Sequence, residues 1–235
     1  MIFPTIKHFI KTALIPVGHT MYVYGGGWDK TDTKASVEAT TLGESKKWKE
    51  FYNSQTSLYN YKDYLYLSSL GLDCTGYIGW VIYNLLCTEN GRHGFVYKSG
   101  VLGETLHKLG LGSITQASQV STRHCGDIFY SSNHSHAYIC VGECPDKSVV
   151  LLHASPPGVM VSGTKTPENK DSIAITIAQR FMHENFPDWF RRYPDVSRGA
   201  EYLFDYNRFR FYNVIVADPD DFTLLDPEDV LSYSI

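Results

Sequence analysis

The sequence predicts an α+β fold, and three observations predict it. An apolar run opens at a cysteine in Gly71-Leu72-Asp73-Cys74-Thr75-Gly76 and continues through Tyr77, Ile78, Val81, Ile82, Leu85 and Leu86 at the spacing of a buried helix face. Four short β-rich runs separated by turn residues follow, the pattern of an antiparallel meander. Helical patterns flank both. A chain of 235 residues is long enough to bury one substantial core, so one domain spanning 1–235 is expected.

Taken in order, residues 4–17 fit a short amphipathic helix, with Pro4 near its start and Pro16-Val17-Gly18 ending it. Met21-Tyr22-Val23-Tyr24 then runs into Gly25-Gly26-Gly27, where backbone can approach backbone or a ligand closely. No Gly-Lys-Ser/Thr follows, so this is not a phosphate loop. Residues 29–44 read as a polar loop. Trp48, Phe51, Tyr52, Gln55 and Tyr59 fit one helical face, so 44–68 is expected to be helical, a packed flap or a groove wall. After the cysteine helix, about 74–87, a short helix is expected near 101–109 and a polar loop over 112–124. The meander covers 126–130, 136–142, 149–155 and 158–161. Residues 171–184 return to helical spacing, Phe209 to Val216 reads as one more strand, and the acidic end reads as a solvated face.

Composition excludes several classes. With 43% hydrophobic and 20% charged residues the chain is of ordinary globular type. A net charge of −4 gives no nucleic-acid footprint. Cysteines at 74, 87, 125, 140 and 144 are odd in number and lack framework spacing, which argues for reduced thiols. Met1 to Gly18 is interrupted by Lys7, His8 and Lys11 and shows no secretory signal. No run approaches the roughly 18 apolar residues of a membrane span. Nothing sets the compartment or the oligomeric state.

The chemistry centres on Cys74. Asp73 or Cys74 falls at the helix N-cap, where unpaired N–H groups and the helix dipole lower a thiol pKa. The alternative is a buried cysteine that merely opens a core helix. A nucleophilic cysteine needs a base, and the base needs an orienting group. His136 begins one predicted strand and His153 ends the next, so antiparallel pairing brings the two imidazoles to one sheet edge. Rivals are His134, two residues from His136 but in the turn, and Cys125 beside His124, with no helix after it. Cys140 and Cys144 with His134 and His136 match no standard zinc spacing.

In order, Tyr22-Val23-Tyr24-Gly25-Gly26, Leu72 to Trp80, Gly126-Asp127-Ile128-Phe129-Tyr130, His136 to Gly142 and Leu152-His153-Ala154-Ser155 resemble the motifs of NlpC/P60 cysteine peptidases. The resemblance covers about residues 20–163. It implies a papain-like α+β core and hydrolysis of peptidoglycan stem peptides between γ-D-glutamate and the diamino acid, with no metal or organic cofactor. It implies Cys74 as nucleophile, His136 as general base and His153 as the group that orients it. Tyr22 and Asp73 match positions that hold the free amine of the stem peptide, and Thr75 stands where the family has serine. Two departures stand out: an insertion over 28–72, between Gly27 and Asp73, and an extension over 165–235. The same residues would serve a related thiol amidase or acyltransferase, or, with chemistry lost, a wall-peptide binder.

Overall fold

A computed structural model describes residues 4–86 and 94–235. Among the described residues, seven α-helices and seven strands follow one another as α1 Ile6–Leu14, α2 Lys46–Ser54, α3 Cys74–Leu86, α4 Leu102–Lys108, β1 Gly112–Thr115, β2 Ile128–Ser131, β3 His136–Glu143, β4 Val149–Ser155, β5 Gly158–Thr164, α5 Ile173–Asn185, α6 Pro187–Arg192, β6 Ser197–Arg198, β7 Asn207–Phe211 and α7 Pro227–Ser232. The strands form one mixed sheet in the order β1-β7-β2-β3-β4-β5-β6. Among the described residues, β5–β6 is the one parallel pair of named strands. The fold is α+β, and β2 to β5 are the expected meander.

Alternation along β3 explains the layers. Ala137, Ile139 and Val141 enter the main core, which also takes the apolar residues of α3. Tyr138 and Cys140 point the other way, into a smaller core with Phe129, Val149, Leu151, Leu203 and Tyr206. The helix α3 is apolar nearly all round and is buried accordingly. Two of its buried polar side chains are satisfied from neighbouring segments: Tyr77 Oη donates to the Ala13 carbonyl at 2.7 Å, and Trp80 Nε1 to the Gly43 carbonyl at 3.2 Å. Glycine at 76 is required by close approach, since a Cβ there would overlap the Gly26 carbonyl oxygen. Gly26 and Gly27 thus pack main chain to main chain, Gly26 on Gly71 and Leu72 as well as Gly76, and Gly27 on Gly76, whereas Gly25 faces Tyr66.

Several expectations need correction. Gly112–Thr115 lies in the stretch read as a polar loop yet forms β1, because β7 supplies an antiparallel partner across the Gly112–Phe211 to Thr115–Arg208 register. The last long strand is Asn207–Phe211, not 209–216; the chain turns after Phe211, with Ile215 N–H donating to the Tyr212 carbonyl. Pro187–Arg192 is a helix that the sequence pattern did not reveal. The expected helical span 44–68 holds α2 and a 3-10 turn at Tyr61–Tyr64, joined by irregular chain. The acidic end is no solvated face throughout: Val230 and Leu231 of α7 are buried, and α7 packs on β3. Cys87, expected to end the cysteine helix, and Met1 to Phe3 lie outside the described residues. Among the described residues, no helix is long and apolar enough to cross a membrane.

Candidate active site

The start of α3 is built by Asp73. Its Oδ1 accepts from the Thr75 and Gly76 N–H groups at 3.0 and 2.7 Å and from the Thr75 hydroxyl at 3.1 Å. That is an N-cap, and it places Cys74 as the first helical residue. Thr75 is held in turn by Trp28, whose indole N–H donates to its hydroxyl at 3.2 Å. Burial pushes the Asp73 carboxyl up to about 6 even though the cap hydrogen bonds oppose it.

The Cys74 thiol meets the Ser135 carbonyl oxygen at 4.0 Å, and the Ala137 N–H favours its thiolate. These two backbone groups flank His136, so the sulfur sits where β3 begins. The β3–β4 ladder starts only at Ile139–Leu152, which leaves this end of β3 beyond the ladder. The lowered thiol pKa expected from the helix start is not what the site holds. Burial, followed by the charge of Asp73, pushes the Cys74 thiol well above its ordinary value. Desolvation of the thiolate outweighs the helix-terminal N–H groups.

His136 and His153 meet as their strand positions predict. His136 Nε2 lies 3.0 Å from His153 Nδ1, with the rings edge to face. Beyond the pair, His153 Nε2 has two neighbours: Ser162 Oγ at 3.1 Å and Arg198 Nε at 3.2 Å. Burial, then Arg198 and His134, pushes His136 down to about 3. His153 lies well below its ordinary value through burial, Arg198 and His136. Both imidazoles are therefore neutral at neutral pH. The Tyr202 ring packs against both, with centroids 5.3 Å from His136 and 5.8 Å from His153.

A cavity of about 370 Å³ opens on Cys74, Asp73 and Thr75, with Tyr22, Tyr24, Trp28 and Asp32 on one side and Lys98, Gly100 and Ser135 on the other. Tyr22 keeps its phenol protonated, because burial and the nearby Cys74 and Asp73 push its pKa far up. The residues between Gly27 and Asp73 shape this wall. Tyr59 Oη donates to the Tyr22 carbonyl at 2.5 Å, Tyr61 meets the Tyr22 ring edge-on, and Tyr66 meets Tyr24 likewise. Residues 44–68 thus back Tyr22 and Tyr24 and do not themselves line this cavity.

Of the six residues singled out from the sequence, Tyr22, Asp73, Cys74 and Thr75 line one cavity, and His136 and His153 pair at the start of β3, beside the Ser135 backbone that Cys74 meets. Arg198, Ser162 and Tyr202 were missed. Two of them lie in the extension, which carries no motif, and Ser162 is one serine in an apolar strand. Of the rivals, His134 stacks on Tyr206, close enough for its charge to lower the His136 pKa, and Cys125, Cys140 and Cys144 are buried free thiols with raised pKa values. Among the described residues, no three or more His, Cys, Asp or Glu side chains are arranged to hold a metal ion. No protein-family model, no curated protein and no solved structure matches this chain.

Proposed function

We propose that the protein is a papain-like thiol hydrolase of the NlpC/P60 kind that cleaves peptidoglycan stem peptides at the γ-D-glutamyl–diamino acid amide. One observation carries the reading. The Cys74 sulfur lies at a helix start against the backbone on both sides of His136, and His136 is hydrogen-bonded to His153.

In this reading His136 takes the thiol proton as the sulfur attacks the amide carbon. The C–N bond then breaks, the amine leaves with the proton from His136, and a thioester remains on Cys74. Water, deprotonated by His136, hydrolyses the thioester and restores the thiol. The Cys74 N–H is the donor for the oxyanion, since the Thr75 and Gly76 N–H groups are taken by Asp73. One such donor is worth about 3 kcal/mol of barrier. The Asp73 carboxylate, with the Tyr22 phenol and Thr75 hydroxyl beside it, supplies a polar end to the cavity suited to a substrate ammonium.

The test is incubation with L-Ala-γ-D-Glu-diaminopimelate and detection of the released dipeptide. Turnover lost in Cys74→Ala supports the mechanism; turnover that survives this substitution excludes it. A second reading, a thiol amidase or acyltransferase on another acyl donor, draws on the wall that residues 28–72 build around Tyr22 and Tyr24. Cleavage of other amides but not stem peptides favours that reading. Binding of stem peptides without turnover favours a non-catalytic wall-peptide binder.

A further inference from the structure

We infer that Arg198 sets the direction of the hydrogen-bonded relay between His153 and His136, and that in this structure it holds the relay in the sense that keeps Cys74 protonated. The inference rests on the reading of Cys74 as nucleophile and His136 as base. Arg198 belongs to β6, outside the residues 20–163 that carry the motifs, so it gives the extension a part in the site.

A guanidinium only donates. Arg198 Nε lies 3.2 Å from His153 Nε2, so that nitrogen accepts, and the single proton of neutral His153 sits on Nδ1. The Nδ1–H then donates across 3.0 Å to His136 Nε2. Neutral His136 must in consequence carry its own proton on Nδ1, the nitrogen not engaged by His153. It has no lone pair left with which to take the thiol proton.

The competent arrangement runs the other way. His136 Nε2–H donates to His153 Nδ1, and His153 Nε2–H donates to Ser162 Oγ, which is already 3.1 Å away. A hydroxyl accepts or donates, so Ser162 permits both directions. Arg198 permits one. In the competent direction its Nε–H would face another N–H, and the same conflict arises when His136 is imidazolium. Base catalysis therefore requires Arg198 to withdraw from His153. It has somewhere to go, because it lines a groove of about 310 Å³ with Tyr59, Tyr61, Pro157 and Tyr193.

Imidazole ¹⁵N spectra of the full chain at pH 7 test the relay directly. The expected result is a proton on Nδ1 of both His153 and His136. A proton on Nε2 of His153 in the wild-type protein overturns the inference. Arg198→Met keeps the side chain as far as the Nε position but removes the donors. It is expected to release the His153 proton from Nδ1, so that an Nε2–H form donating to Ser162 becomes populated, and to speed iodoacetamide labelling of Cys74 about tenfold, the effect of one pKa unit in the thiol–imidazole balance. Cys74→Ala sets the labelling baseline. Arg198→Lys, which retains a donor, is expected to keep the wild-type tautomer and rate. Unchanged labelling in a folded Arg198→Met protein overturns the inference; if that variant does not fold, the wild-type spectra decide alone. No readout uses a stem peptide, so a relay that behaves as stated in a protein that cuts no stem peptide sinks only the substrate reading.

Discussion

Tyr202 stands edge-on to His136, with ring centroids 5.3 Å apart and planes inclined at 67°. It closes the sheet face on which the two imidazoles meet, and it reaches them from a 3-10 turn at Ala200–Leu203. Removing the ring by Tyr202→Ala admits water to the pair. The His136 pKa, held at about 3 chiefly by burial, should then rise toward the ordinary range, by at least one unit. Tyr202→Phe keeps the ring and loses only the hydroxyl that hydrogen-bonds Arg198, so it should move the His136 pKa by much less than Tyr202→Ala. Histidine ring-proton titration by NMR separates the two outcomes.

Stability should depend on pH through two opposing terms. His136 and His153 have depressed pKa values, so their contribution is complete above about 6.5 and is lost as pH falls below it, the His136 part by about 3. Asp73 has a raised pKa, so its contribution is complete below 3.8 and is lost as pH rises through about 6. The histidines outnumber the aspartate, and urea unfolding should show stability rising from pH 4 to pH 6.5. Asp73→Asn removes the opposing term and should steepen that rise, whatever it does to stability at any one pH. A flatter profile in the variant would contradict the assignment.

Asp127, buried before β2, accepts from Arg210 Nε and Nη2 of β7 at 2.6 and 2.7 Å and from the His124 N–H at 2.9 Å. Asp127→Ala leaves these donors unmatched. The expected loss is about 3 kcal/mol, the low end for breaking a buried pair, because the Arg210 side chain is 36% exposed and can be rehydrated. Urea denaturation measures it. Cys74 labelling by iodoacetamide in the folded variant should be unaffected, since the pair anchors the sheet rather than the site.

Gly76→Ala forces a methyl group into the Gly26 carbonyl and the Gly27 backbone. Both sides of that contact are main chain, so neither can turn aside. A loss above about 4 kcal/mol, read as little soluble folded protein by circular dichroism, is expected. Thr75→Ser, which keeps the hydroxyl that Trp28 and Asp73 bind, should cost less than about 1 kcal/mol.

Local pattern determined much of this protein. The apolar spacing after Cys74 specifies α3, Asp73 caps it, and the meander from β2 to β5 follows from β-rich runs between turns. His136 and His153 could be placed together because strand order and period alone bring the start of one strand near the end of the next. What local pattern does not encode is which distant segment completes a structure. Gly112–Thr115 is too polar to announce itself and becomes a strand only because β7 pairs with it. Arg198 and Tyr202 carry no motif and matter only because the extension returns to the histidine face. The sign of the Cys74 pKa shift was decided the same way: the helix start is local, but the burial that outweighs it comes from the whole fold.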